Sequence, residues 1–160
     1  MSLKLDGKCH VMGILNVTPD SFYDNFFDTD DIQNRIKEMI DEGAEIIDIG
    51  GESTRPGSKP VSAEEELERV IPAIEFVKSI SDIPISIDTQ KAEVARKAVE
   101  AGASVVNDVG GLRNDDMIRT VSDLQIPVII MHMQGTPENM QKNPQYDNTC
   151  LLYTSPSPRD

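Results

Sequence analysis

The chain has no apolar stretch approaching the ~18–20 residues that cross a bilayer. Its first residues, Met1 to His10, carry no apolar segment of the kind a secretory signal needs. A soluble cytoplasmic protein with no membrane partner is the expectation. Cysteine is scarce: Cys9 and Cys150 sit in neither a CxxC nor a metal-ligand spacing, so neither a disulfide scaffold nor a structural zinc site is expected. Positive charge is short as well. There are 15 Lys and Arg against 28 Asp and Glu, a formal net charge of −13. That argues against nucleic acid or an anionic membrane as a general partner, because both need clustered cations. A small anionic ligand stays compatible, since one Arg or one helix N-terminus can bind it inside an acidic protein. No GxGxxG follows the first strand pattern, which weakens a dinucleotide-binding reading.

What is present is alternation. At 160 residues the chain suffices for one domain with a sizeable core. Strand patterns at Val11–Asn16, Ile46–Gly50, Ile85–Asp88, Ser104–Asp108 and Val128–His132 alternate with helical ones. The fifth, a near-continuous apolar run, is expected to be buried on both faces. The helices are expected over Asp30–Glu42, from Ser62 to about Ser79, over Lys91–Ala101 and over Asp115–Leu124. Gly43 and Gly102 close the first and third. Ser62 and Glu65 have capping-box spacing at the start of the second. Its apolar stripe is Leu67, Val70, Ile71, Ile74 and Val77, and Pro72 inside it predicts a kink or a two-part helix.

Strict alternation implies a parallel sheet with right-handed crossovers. Polar residues follow every strand: Asn16, then Glu52-Ser53-Thr54-Arg55, then Asp88, then Asn107-Asp108, then His132. An open doubly wound sheet gathers its ligand groups at one switch point, whereas a barrel collects them from all its strand ends. The pattern therefore favours a TIM (β/α)8 barrel, incomplete, with its first five β-α strands. Strands one and five of an unclosed barrel expose apolar edges, so poor solubility is expected. The run Cys150 to Asp160 breaks the pattern. Back-translated with suitable codons it resembles read-through of a transposon-type sequencing adapter. Residues 1–149 are thus expected to be the N-terminal part of the barrel domain and 150–160 a non-native tail. The alternative is a Ser/Pro-rich disordered tail.

The string Met12-Gly13-Ile14-Leu15-Asn16-Val17-Thr18-Pro19-Asp20-Ser21-Phe22 closely resembles the first signature of the dihydropteroate synthases. Gly50-Gly51-Glu52-Ser53-Thr54-Arg55-Pro56-Gly57 resembles their second. The resemblance covers Val11 to about Asn148. It implies displacement of diphosphate from (7,8-dihydropterin-6-yl)methyl diphosphate by the amine of p-aminobenzoate, giving 7,8-dihydropteroate.

By the same resemblance Asn16 would bind Mg2+ and the leaving diphosphate, a role open to a neutral amide oxygen. Phe22 would wall the p-aminobenzoate pocket and Asp24 would stabilise positive charge on the pterin. Asn25-Phe26-Phe27 stands where the family commonly has Gly-Gly, so this loop is expected to be stiffer or differently folded. Thr54, Arg55 and Pro56 would fold over p-aminobenzoate and diphosphate, with the planar Arg55 fork suited to the anion. Asp88 and Asn107 would recognise the pterin edge, which carries both donors and acceptors. Val109 and Met131 would line the pocket. Asp24, Arg55 and Asp88 are the catalytic candidates.

His132 is expected to be a hydrogen-bonded scaffold group, not a base. In the family, later strands add an Asp, a Lys and an Arg/His pair, and the full-length protein would be a homodimer. Two alternatives stay open. One is a pterin-binding barrel that passes a methyl group from methyltetrahydrofolate to a corrinoid, which has no need of Thr54-Arg55-Pro56. The other is a non-catalytic pterin-binding module.

Overall fold

A computed structural model describes residues 7–18, 29–53, 60–132, 134–135, 143 and 145–148. Five strands alternate with four helices among them: β1 Met12–Asn16, α1 Thr29–Asp41, β2 Ile46–Gly50, α2 Ala63–Ile80, β3 Ile85–Asp88, α3 Ala92–Ala101, β4 Val105–Asp108, α4 Asp115–Leu124 and β5 Val128–Ile130.

Local chemistry explains the helix ends. In α1, Ile32, Ile36 and Met39 are buried at helical spacing, with Asp30 and Asp31 at the positive N-terminal end. Gly43, at φ +99°, turns the chain out of it. The Gly43 N–H then donates to Ile40 O and the Ala44 N–H to Met39 O, which satisfies carbonyls the helix end leaves open. Gly102 repeats the device after α3, at φ +127°. Ser62 Oγ accepts from the Glu65 N–H at 3.1 Å at the start of α2. The Glu65 carboxylate turns instead to Arg69, so the expected capping box is only half made. Pro72 lies within one unbroken helix, not between two. Its ring is exposed, and the packed face of the helix holds its two halves together. That face is Glu66, Val70, Ala73, Ile74 and Val77. Leu67 and Ile71, expected on the stripe, are only half-buried.

All strands pair in parallel, in the unreversed order β1-β2-β3-β4-β5. α1 packs on α2, α2 on α3 and α3 on α4, so the helices form one layer. A doubly wound sheet would reverse its order and carry helices on both faces. An unreversed order with one helical layer is the partial wall of a (β/α)8 barrel. Leu15, Ile49, Ile87 and Val106 point to the helices and, with Ile47 and Ile85, make the core. The alternate residues face inward. Parallel strands covered by helices are apolar on the covered side, so the polar strand residues collect on the inner face.

The fifth strand corrects the sequence expectation. It spans three residues, not five, and none of them is fully buried. Ile130 is 52% exposed, and Val11 and Ile14 at the other edge are 57% and 59% exposed. Among the described residues each outer strand has a neighbour on one side only, and its exposed apolar side chains mark a sheet edge.

Candidate active site

The sheet register builds the site. Asn16 pairs with Gly50, Gly50 with Asp88 and Asp88 with Asn107. These residues form one inward row at the C-terminal ends of four strands, where barrels carry their chemistry. The next inward row is Ile14, Asp48, Ser86 and Val105. The ladder continues past the row: the Val17 N–H donates to Gly50 O at 2.7 Å and the Thr89 N–H to Asn107 O at 3.1 Å. This backbone pairing carries the ladder beyond the strand ends.

Gly50 makes the gap. A Cβ placed there would lie 3.4 Å from Asp88 Oδ2 and 3.7 Å from Asn16 Oδ1, so the missing side chain leaves a slot between the two polar groups. Gly51 serves a different purpose. A Cβ there would lie 2.9 Å from Val70 Cγ1 and 3.1 Å from Glu66 O, so this glycine lets α2 close on the end of β2. Arg69 of α2 secures the same turn, donating from Nη1 to Gly51 O at 2.6 Å.

Charge is concentrated here. Burial pushes the Asp88 carboxyl up to about 7, and the nearby carboxylates of Asp48, Glu66, Asp108 and Glu52 push the same way. Near neutrality this group holds a proton about half the time, unlike an ordinary aspartate. Beside it a cleft is lined by Glu52, Glu66, Asp88, Thr89, Gln90 and Val109. Lys91 bridges Glu52 and the fully buried Glu66. Burial works to lower Lys91, but the two carboxylates outweigh it and hold the amine above its ordinary value. The Lys91 N–H donates to Thr89 Oγ1 at 3.1 Å. One cation thus ties together the ends of β2 and β3 and the start of α2.

The sequence candidates divide. Asp88, Asn107 and Asn16 share the inward row. Val109 joins Asp88 in the cleft. Met131 sits just past β5, its N–H donating to Asp108 O at 3.3 Å. Asp108 does not join the site: its carboxylate accepts from the Gly110 and Leu112 N–H groups, each at 2.8 Å, and so braces its own loop. His132 is exposed and lies 5.7 Å from the Tyr146 ring in a tilted contact. Phe22, Asp24, Thr54, Arg55 and Pro56 lie outside the described residues, as do the Asn25-Phe26-Phe27 loop and the 150–160 tail.

Two residues escaped the sequence reading. Asp48 is buried inside an apolar strand, and its carboxylate accepts from Asn107 Nδ2 at 3.1 Å. Burial pushes its carboxyl up, while the nearby Ser86 hydroxyl and the Asn107 amide work in the opposite direction. Asp48 Oδ1 and Ser86 Oγ themselves have no hydrogen-bond partner among the described residues. The signal was available: Asp48 is two residues before Gly50, hence on the same face. Glu66 is the other. It precedes Val70 by four positions, in phase with the buried stripe.

A carboxylate and an amide side by side at the rim of an inward slot suit a flat heterocycle whose edge alternates N–H donors and bare ring nitrogens. Comparison with known proteins points the same way. The family described as pterin binding enzymes matches residues 12–153. The chain is 47% identical to the dihydropteroate synthase of Haemophilus influenzae over 156 residues, 92% of this chain and 57% of that protein. The Yersinia pestis dihydropteroate synthase, solved with a sulfonamide drug complex, superposes with a TM-score of 0.84 at 44% identity, over 95% of this chain and 56% of that one. The Burkholderia cenocepacia synthase, complexed with 7,8-dihydropteroate, gives a TM-score of 0.75 at 45% identity, over 90% and 48%. The chain spans about half the length of the curated relatives it matches.

Proposed function

The chain belongs to the pterin-binding enzymes, and from that premise we propose that the whole protein is a dihydropteroate synthase. It would join p-aminobenzoate to a dihydropterin by displacing diphosphate from (7,8-dihydropterin-6-yl)methyl diphosphate. The observation that carries this reading is the Asp88–Asn107 pair on one inward row, beside the slot over Gly50.

The chemistry supports it in order. The pterin edge offers an amino group and a ring N–H to a carboxylate, and Asp88 accepts them. Asn107 supplies a donor and an acceptor. The acidic surroundings favour a ligand that becomes positively charged as its leaving group departs. Asp24 would add to that field. Thr54, Arg55 and Pro56 would close on the second substrate and on the departing diphosphate, with Arg55 offsetting its charge.

Among the described residues, Asn16 is the group that would hold Mg2+. Asn16 offers a single exposed amide oxygen at the rim of the slot. No group of three or more metal-ligating side chains occurs among the described residues. Asn16 would therefore hold a cation whose other ligands are water and the substrate's own diphosphate oxygens. When bound, Mg2+ would neutralise charge on the leaving group. A homodimer in the cytoplasm goes with the reading. No helix of the described residues is long and apolar enough to cross a membrane.

Two measurements test the proposal. In the first, the 160-residue chain is titrated with 6-hydroxymethylpterin in a calorimeter. Binding is expected, at least about tenfold weaker in Asp88→Asn, whose amide replaces a charge-assisted acceptor. In the second, a protein of the family's full length is assayed for diphosphate release that depends on p-aminobenzoate. Release of diphosphate without p-aminobenzoate, or none at all with both substrates, would overturn the synthase reading. The 160-residue chain by itself is expected to give no turnover.

A further inference from the structure

The Asn107 amide has two ends of similar shape and opposite chemistry, so a site that uses it must fix which end faces which way. Asp48 sits two strands away and one inward row deeper, 3% exposed. Its Oδ2 accepts from Asn107 Nδ2 at 3.1 Å. Turned over, the amide would set its oxygen against a buried carboxylate oxygen, leaving two acceptors facing with no donor between them. Among the described residues no other side-chain hydrogen bond competes for this amide.

We propose that Asp48 is a positioning residue that fixes the sense of the Asn107 amide. The site then presents one N–H and one carbonyl oxygen in a set order and selects a heterocycle with an amino group beside a bare ring nitrogen over its oxo counterpart. The inference rests on the pterin reading above. One Nδ2 hydrogen is committed to Asp48, and the second hydrogen and Oδ1 remain for the ligand. That donor–acceptor order matches an edge in which a ring nitrogen accepts and an amino group donates. An oxo group in place of the amino group would put oxygen against oxygen, a mismatch that polar sites reject strongly.

The test compares two ligands on the same chain: 6-hydroxymethylpterin and its 2-oxo analogue, 6-hydroxymethyllumazine. Dissociation constants for both are measured by calorimetry for the wild type and for Asp48→Asn. In the variant the new amide can donate to Asn107 Oδ1, and Asn107 is free to turn over. The preference for the amino ligand is expected to fall about tenfold. An Asp48 that only supported the fold would weaken both ligands alike and leave their ratio unchanged. An unchanged ratio with pterin binding retained overturns the inference and leaves the functional reading standing. Failure of the wild-type chain to bind the pterin overturns both.

A second measurement needs neither variant nor ligand. In a 15N–1H spectrum of the wild type, one Asn107 side-chain proton is expected far downfield of the other and moving as Asp48 titrates. A pair of resonances typical of a free amide, indifferent to that titration, overturns the inference even if Asp48→Asn does not fold.

Discussion

Asp88 titrates where most aspartates are long since ionised. Its pKa is raised to about 7 from an ordinary 3.8, so the folded state keeps a proton that the unfolded chain gives up. Such a group lends stability below its unfolded pKa, and that contribution is lost as pH rises through the folded one. The cost of burying Asp88 should therefore grow between about pH 4 and pH 7 and level off above. Asp88→Asn removes the titration. Its gain in thermal midpoint over the wild type is expected to be near zero at pH 4 and greatest at pH 8, where the difference is on the order of a few kcal/mol. A gain that is flat across that range would show that Asp88 titrates normally. Binding should run the other way, because a ligand donating N–H groups needs the ionised carboxylate. Pterin affinity is expected to fall about tenfold per pH unit below pH 7.

Gly50 and Gly51 are neighbours with different duties, and substitution separates them. In Gly50→Ala the new methyl meets Asp88 and Asn16 at ordinary contact distance. The fold should survive within about 1 kcal/mol while pterin binding is lost from a filled slot. In Gly51→Ala the methyl meets Val70 and the Glu66 backbone too closely, and denaturant melts should show a loss of about 1–3 kcal/mol.

At the scale of the element, α2 tests how far tertiary packing overrides local rules. Its Ser62 cap satisfies one free N–H, and Ser62→Ala should cost about 1 kcal/mol. Its exposed Pro72 gives up one helix hydrogen bond, yet the helix runs on because one face is anchored from Glu66 to Val77. Pro72→Ala restores the bond and is expected to stabilise the chain by about 1–3 kcal/mol in urea melts. Destabilisation instead would mean that the proline ring packs productively. Glu66 is the anomaly on that anchored face. Its buried carboxylate is paired with the Lys91 amine, and separating such a pair leaves one charge buried alone.

Among the described residues the molecule is a five-stranded wall with β1 and β5 as its outer strands. Val11 and Ile14 on one side and Ile130 on the other expose apolar side chains, and among the described residues no further strand lies beside β1 or β5. Such edges pair with other chains. The purified chain is expected to self-associate with rising concentration in sedimentation velocity. Ile14→Thr with Ile130→Thr should lower that association while keeping the β-compatible branched shape. A chain that stays monomeric at high concentration would contradict this account of the edges. The net charge of −13 opposes association only at long range and is screened by salt.

Much of this was legible in the residues alone. Element order, parallel alternation and the caps at Ser62, Gly43 and Gly102 follow from local periodicity and turn chemistry, which need no knowledge of distant contacts. The strand-end places of Asn16, Asp88 and Asn107 follow from where apolar runs stop. The barrel itself was readable because polar groups recur at each strand end. Tertiary structure decided the rest. Asp48 and Asn107 meet across 59 residues, and Lys91 reaches 39 residues back to Glu52 and 25 back to Glu66. The raised pKa of Asp88 comes from burial and from four carboxylates brought in by the ends of β2 and β4 and by α2. β5 is shorter than the apolar run that encodes it, and none of its residues is fully buried. Such properties depend on distance and on water exclusion, which chain order does not carry until the sheet register has set residues far apart in sequence side by side.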